Sequence, residues 1–156
     1  MMNDSTVTTP VLIKGDAKPK GPKGYRFKYS LSDNDVCWSP QSIHLFQPAR
    51  ATNPLIRTMN GAQFLEYAIA GEHLVNANAL NYVVEHPEHY FEAWKGLVDG
   101  KFRIVFFCGS IFIDECGTLC VAGLQWDPEM ERLERVCRSV LVDFGINCFA
   151  VSTRPH

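Results

Sequence analysis

The sequence predicts an α+β domain in which helices in the middle of the chain pack on an antiparallel β-hairpin or meander, with a flexible N-terminal arm in front. Three observations carry this. Apolar residues between positions 60 and 94 recur at helical spacing. Residues 102 to 126 form a dense run of Phe, Ile, Val and Cys with turn residues at its centre. Residues 1 to 24 show neither period. The organisation expected is a basic tail over 1–24 and a single domain over 25–156. At 156 residues, 46% apolar and 21% charged, the chain has the composition of an ordinary globular domain able to bury a core without staples.

Each element has its own warrant. "GDAKPKGPKG" is rich in Gly, Pro and Lys, a flexible composition. Lys14, Lys18, Lys20, Lys23, Arg26 and Lys28 face one acid, Asp16, so this stretch carries a charge of +5 in a chain whose net charge is -2. "YRFKYSL" alternates, with Tyr25, Phe27, Tyr29 and Leu31 on one side and Arg26, Lys28 and Ser30 on the other, as in a half-buried edge strand. Prolines 40, 48 and 54 mark 39–54 as a long loop. Asn60 is placed to cap a helix bearing Phe64, Leu65, Ala68 and Ile69. Asn76 or Asn78 caps a second, with Leu80, Val83 and Val84 inward. Pro87 starts a third over "PEHYFEAW", which puts Tyr90, Phe91 and Trp94 on one face.

After Asp99-Gly100 the pattern turns to strand. Phe102 to Ile113 reads as one strand buried on both faces, "DECGT" as a turn, and "LCVAGLQW" as its partner. "WKG" at 94–96 followed by F-x-G-S-I-F-x-D-x-x-G-x-x-C-V-x-x-L-x-W from Phe107 to Trp126 resembles a recurring element of small uncharacterised bacterial proteins. The resemblance covers residues 94–126 and implies an antiparallel meander and no activity. Those proteins would continue with a Gly/Asn turn and an aromatic strand, whereas here "WDPEMERLERVCRSVLVDFG" follows. Asp127 as cap, Pro128 at the first position and Met130, Leu133, Val136, Cys137, Val140, Leu141 and Phe144 at helical spacing favour an amphipathic helix over 128–144. Its β-branched "RSVLVDF" also suits the meander. "INCFAVS" is a last short strand.

The chemistry is sparse. The six cysteines, at 37, 108, 116, 120, 137 and 148, contain no Cys-x-x-Cys pair, and the N-terminus has no signal-peptide pattern. A cytoplasmic setting with reduced thiols is therefore expected, and no apolar run is long enough to span a bilayer. Cys108 and Cys120 read as core thiols and Cys116, at the turn, as the most exposed of the three. "EHPEH" offers His86 and His89 as the only candidate metal pair, with His44 and His73 the remaining internal histidines. No cofactor fingerprint occurs, and no cofactor is expected.

Three functions compete. The first is a non-enzymatic interaction protein or small subunit of a larger assembly, whose partner is another protein or a second copy. Trp38, Tyr90, Phe91 and Trp94 are its candidate contacts. The second is a thiol- or metal-dependent enzyme using Cys116 with His86 or His89. The third is nucleic-acid binding through residues 14–28, led by Lys18, Lys20, Lys23, Arg26 and Lys28.

Overall fold

A computed structural model describes residues 9–48, 58–70 and 73–154. Its described elements, in order, are β1 (Val11–Ile13), β2 (Arg26–Ser30), β3 (Val36–Trp38), β4 (His44–Phe46), β5 (Thr58–Asn60), α1 (Gly61–Ala70), α2 (Ala77–Glu85), 3-10 turns at Pro87–His89 and Glu92–Lys95, β6 (Leu97–Val98), β7 (Lys101–Phe102), β8 (Ile104–Phe106), β9 (Ser110–Ile113), β10 (Leu119–Asp127), β11 (Arg132–Ser139), β12 (Asp143–Gly145) and β13 (Cys148–Ser152). Strands dominate, and the principal sheet of seven strands curls into a half-barrel.

Strand β10 is the spine of that sheet. On one edge it pairs with β11 without interruption, from Cys120 opposite Ser139 to Asp127 opposite Arg132. Its other edge is shared. Leu119 and Cys120 face Ile113 and Phe112 of β9, while Gly123, Leu124 and Gln125 face Phe106, Val105 and Ile104 of β8. Between them Phe107, Cys108 and Gly109 leave the ladder, although the Phe107 N–H still donates to the Ala122 carbonyl at 2.9 Å. The sheet divides at this break: β2 joins β9, and β13 joins β8 in parallel, followed by β4.

Alternation along the strands gives the sheet two apolar faces. Val105, Phe112, Ala122, Leu124 and Val151 face one way. They are covered by Leu80 and Val83 of α2, by Ile13, Val36 and Trp38 of the β1–β3 ribbon, and by Tyr90 and Trp94. Ile104, Phe106, Ile111, Val121, Cys148 and Ala150 face the other way, against Phe64 and Ala68 of α1 and Met59 and Phe144 of the β5–β12 ribbon. Both faces are packed, so a sheet strand needs no polar alternation, which is why 104–113 reads as continuously apolar.

Several expectations are overturned. The domain is not helices laid on a hairpin: among the described residues, α1 and α2 with the β1–β3 and β5–β12 ribbons sandwich a mainly antiparallel curled sheet. The arm expected to be flexible is packed down where it is described. Val11, Leu12 and Ile13 pair with Trp38, Cys37 and Val36, and the side-chain amides of Asn76, Asn78 and Asn81 donate to the carbonyls of Gly15, Ala17 and Lys20. Residues 1–8 lie outside the described residues. Gly15 fits closely in this path, because a Cβ there would collide with the Asn34 carbonyl oxygen.

The helix favoured over 128–144 is the strand β11. Asp127 does cap something, but it is a turn. Its carboxylate accepts from the N–H groups of Glu129 and Met130 at 3.0 and 3.3 Å, and Glu131 at φ 51° closes a hairpin. Asp-Pro suits a β-turn as well as a helix start, and pairing with β10 decides between them. The helix over "PEHYFEAW" is two 3-10 turns, and the loop over 39–54 contains β4, with residues 49–57 outside the described ones. In β2 a register shift between Phe27 and Tyr29 leaves Lys28 unopposed. A bulge puts Phe27 and Tyr29 on opposite faces, so Tyr29 is exposed although the alternation assigned it inward.

The caps read from the sequence are found. Asn60 Oδ1 accepts from the Gln63 N–H at 2.8 Å, and Asn76 Oδ1 from the Asn78 N–H at 3.0 Å. Strand β2 is an edge strand, and Cys148 is buried in β13.

Candidate functional site

The aromatic contacts singled out from the sequence belong to the core. Trp38, Tyr90 and Trp94 are buried, and Phe91 packs against them half-buried. The Trp38 indole stacks on Phe91 with ring centroids 5.2 Å apart and meets Trp94 edge-on at 5.8 Å. Its Nε1–H donates to the His89 carbonyl at 2.8 Å. These rings fix the 87–95 segment against β3, and Phe91 alone of the four keeps a partly exposed face. Burial pushes the Tyr90 hydroxyl well above its ordinary range, against the opposing effect of Arg103.

Cys116 sits where the sequence places it, exposed in a turn. Asp114 Oδ1 accepts from the Cys116 and Thr118 N–H groups, both at 2.9 Å, and Gly117 takes φ 85°. The histidines lie elsewhere, beside Tyr82: His86 packs on its ring at 4.5 Å, and His89 Nε2 is 3.4 Å from its hydroxyl. The Cys116 thiol makes no hydrogen bond to either. No group of three His, Cys, Asp or Glu side chains that could hold a metal occurs among the described residues.

Lys18, Lys20, Lys23, Arg26 and Lys28 are all exposed, on an ordered strap rather than on a free arm. Lys14 pairs with Asp35 at 3.3 Å. The Gly15 N–H, followed by Lys14, holds the Asp35 carboxyl below the usual carboxylate range.

A cleft of about 650 Å³ opens beside β3, lined by Asp35, Cys37, Gln41, His44 and His73 among others. It gathers polar groups, of which Asp35 is committed to the strap through the Gly15 N–H and Lys14. His73 holds φ 62°, and its carbonyl accepts from the Thr153 N–H at 3.0 Å. That contact ties the segment before α2 to the end of β13.

Of the other cysteines, Cys108, Cys120 and Cys148 are buried and Cys137 is half-buried. Cys120 and Cys137 are diagonal neighbours on one face of the β10–β11 pair. Burial raises the Cys108 and Cys137 thiols to about 12, and for Cys137 the nearby Cys120 adds to the effect. Thiols held protonated in this way are poor nucleophiles.

What the sequence reading missed is the outer edge of β11. Three strands of the principal sheet have an edge unpaired among the described residues: β2, β4 and β11. Strand β2 is bulged and carries Arg26 and Lys28, and β4 has three residues, so both are blunted in the usual ways. Strand β11 has eight residues and pairs regularly throughout. Val140 donates its N–H to the Leu119 carbonyl at 3.0 Å. By alternation Arg132, Glu134, Val136 and Arg138 also turn their main-chain groups to β10, so Leu133, Arg135 and Cys137 turn theirs outward, while the Ser139 carbonyl accepts from the Val142 N–H at 3.3 Å. Exposed apolar residues bracket this edge, Met130 before it and Leu141 and Val142 after it. The β-branched residues of "RSVLVDF" lie past β11, whose own β-branched residue is Val136, so nothing local in 132–139 signals this edge.

No protein-family model, curated protein or solved structure matches the chain. No described helix is long and apolar enough to cross a membrane.

Proposed function

We propose that this chain is a non-enzymatic interaction protein, a small subunit that joins a larger assembly by adding an extended strand of its partner to β11. The observation that supports this is the open main-chain edge of β11 among the described residues, with outward N–H and C=O groups at Leu133, Arg135 and Cys137 and exposed apolar residues at both ends. Unpaired strand edges recruit partner strands through main-chain hydrogen bonds, and side chains at the rim supply the selectivity. The candidate thiol and histidines lack the contacts that a nucleophile and its base need.

The test uses extended peptides selected from a random library on the immobilised protein. Arg135→Pro deletes one outward N–H and leaves the hydrogen bonds of Glu134 and Val136 to β10 in place. Selected peptides are expected to bind this variant at least tenfold more weakly. Peptides that bind Arg135→Pro as tightly as the unaltered protein would place the interaction elsewhere and sink the proposal.

A further inference from the structure

We infer that the cations of the N-terminal strap and β2 form a binding surface for single-stranded nucleic acid, a partner separate from the strand that docks on β11. Lys18, Lys20, Lys23, Arg26 and Lys28 are exposed, and none has an ion-pair partner among the described residues. In a chain whose net charge is -2, cations left unpaired in one place make a local positive patch. The fold fixes their backbones. Asn78 and Asn81 of α2 hold the carbonyls of Ala17 and Lys20 at 2.7 and 3.1 Å. Lys23 lies in a turn closed by the Tyr25 N–H on the Pro22 carbonyl at 3.0 Å, and Arg26 and Lys28 belong to β2. A further cation arrives from far along the chain. Arg135 donates to Asn81 Oδ1 at 2.9 Å, the same side chain whose amide holds Lys20. Its partner is a neutral amide, so Arg135 adds its full charge beside the strap.

The bulge in β2 adds an aromatic ring. Arg26 opposes Ile113 and Tyr29 opposes Ile111, two positions on one face of β9. A regular strand sets residues three apart on opposite faces, so the shift at Lys28 is what makes Arg26 and Tyr29 neighbours on one face. Tyr29 is 41% exposed there. A phenol ring beside a guanidinium gives a base a face to stack on, while the surrounding cations take the phosphates. An acidic peptide or an anionic lipid surface would satisfy the cations without calling for the ring. A single strand fits better than a duplex, because only unstacked bases offer a face to the ring. Asp16 and Asp33 lie with Lys18 in a shallow groove between the strap and β2, so the phosphates follow Lys20, Lys23 and Arg26 instead.

Fluorescence anisotropy of the full chain with a labelled single-stranded oligonucleotide of mixed sequence tests this. Binding should weaken steeply with salt. Each phosphate contact contributes about -0.7 to the slope of log K against log salt, so about four contacts give a slope of about -3. Lys20→Gln combined with Lys23→Gln changes two exposed side chains and should weaken binding at least tenfold, with a shallower salt slope. Tyr29→Ala should weaken binding about fivefold or more and leave the slope as it was, and Tyr29→Phe, which keeps the ring, should restore it. An oligonucleotide that fails to bind at low salt would overturn the inference. Binding indifferent to the paired lysine changes would overturn it as well. Polyglutamate or anionic phospholipid vesicles bound as tightly as the oligonucleotide, with Tyr29→Ala without effect, would reveal a general anion surface and overturn the assignment to nucleic acid.

Discussion

The side-chain amide of Asn76 donates to the Gly15 carbonyl at 2.9 Å and to the Ser32 carbonyl at 3.1 Å, while its oxygen caps α2. One buried asparagine thereby joins the N-terminal strap, the segment after β2 and the first turn of a helix. Asn76→Ala removes the cap, worth about 1 kcal/mol, and strands carbonyls that cost about 1–3 kcal/mol when left unpaired. Urea unfolding should show a loss of about 2–4 kcal/mol, and Asn76→Asp, which keeps the cap and loses both donors, should recover only part of it.

Deleting residues 1–24 separates a docked strap from a free tail. A free tail leaves the thermal midpoint where it was. The docked strap contributes the β1–β3 ladder and the buried Ile13 beside Trp38. Losing about 3 kcal/mol in a chain of this size lowers Tm by about 6–12 °C, which calorimetry reads directly.

Thiol labelling with a disulfide reagent should divide the cysteines. Cys37 and Cys116 are exposed and should react at once in the folded protein. Cys108, Cys120 and Cys148 are buried, and Cys137 is half-buried with its thiol pushed up to about 12. These four should react only as the chain unfolds, with all six labelled in denaturant.

The same thiols set an alkaline limit. Burial raises Cys108 from 9.0 to about 12, so folding favours its neutral form. Its contribution is complete below the unfolded-state value and is lost as pH rises from 9 towards 12. Urea midpoints should be flat from about pH 7 to pH 9 and fall above it. Cys108→Ala, although less stable throughout, should show a shallower fall.

Local signals were legible in the sequence, and long-range pairing was not. Asn60 and Asn76 announce their helices because a cap is a local hydrogen bond, and "DECGT" announces its turn through Asp114 and Gly117. Met130 to Phe144 satisfies the helical period, yet residues 132–139 form a strand because β10 offers an uninterrupted ladder that helix formation would leave unmade. The break at Phe107 to Gly109 is invisible in an apolar run, since both faces of the sheet are buried. Lys28 gives no sign of the bulge that turns Tyr29 outward. The edge of β11 was out of reach for the same reason: an open edge is a property of the pairing and becomes visible only when the strand and its single partner are known.

Amide exchange at residues 132–139, followed by NMR on dilute protein, tests the central claim most directly. The N–H groups of Glu134, Val136 and Arg138 should be protected by the β10 ladder, while those of Leu133, Arg135, Cys137 and Ser139 exchange at nearly the rate of an unstructured chain. That alternation would establish an open edge available to a partner strand. Uniform protection along β11 in the dilute monomer would show that the chain already covers this edge, and the interaction surface proposed here would not exist.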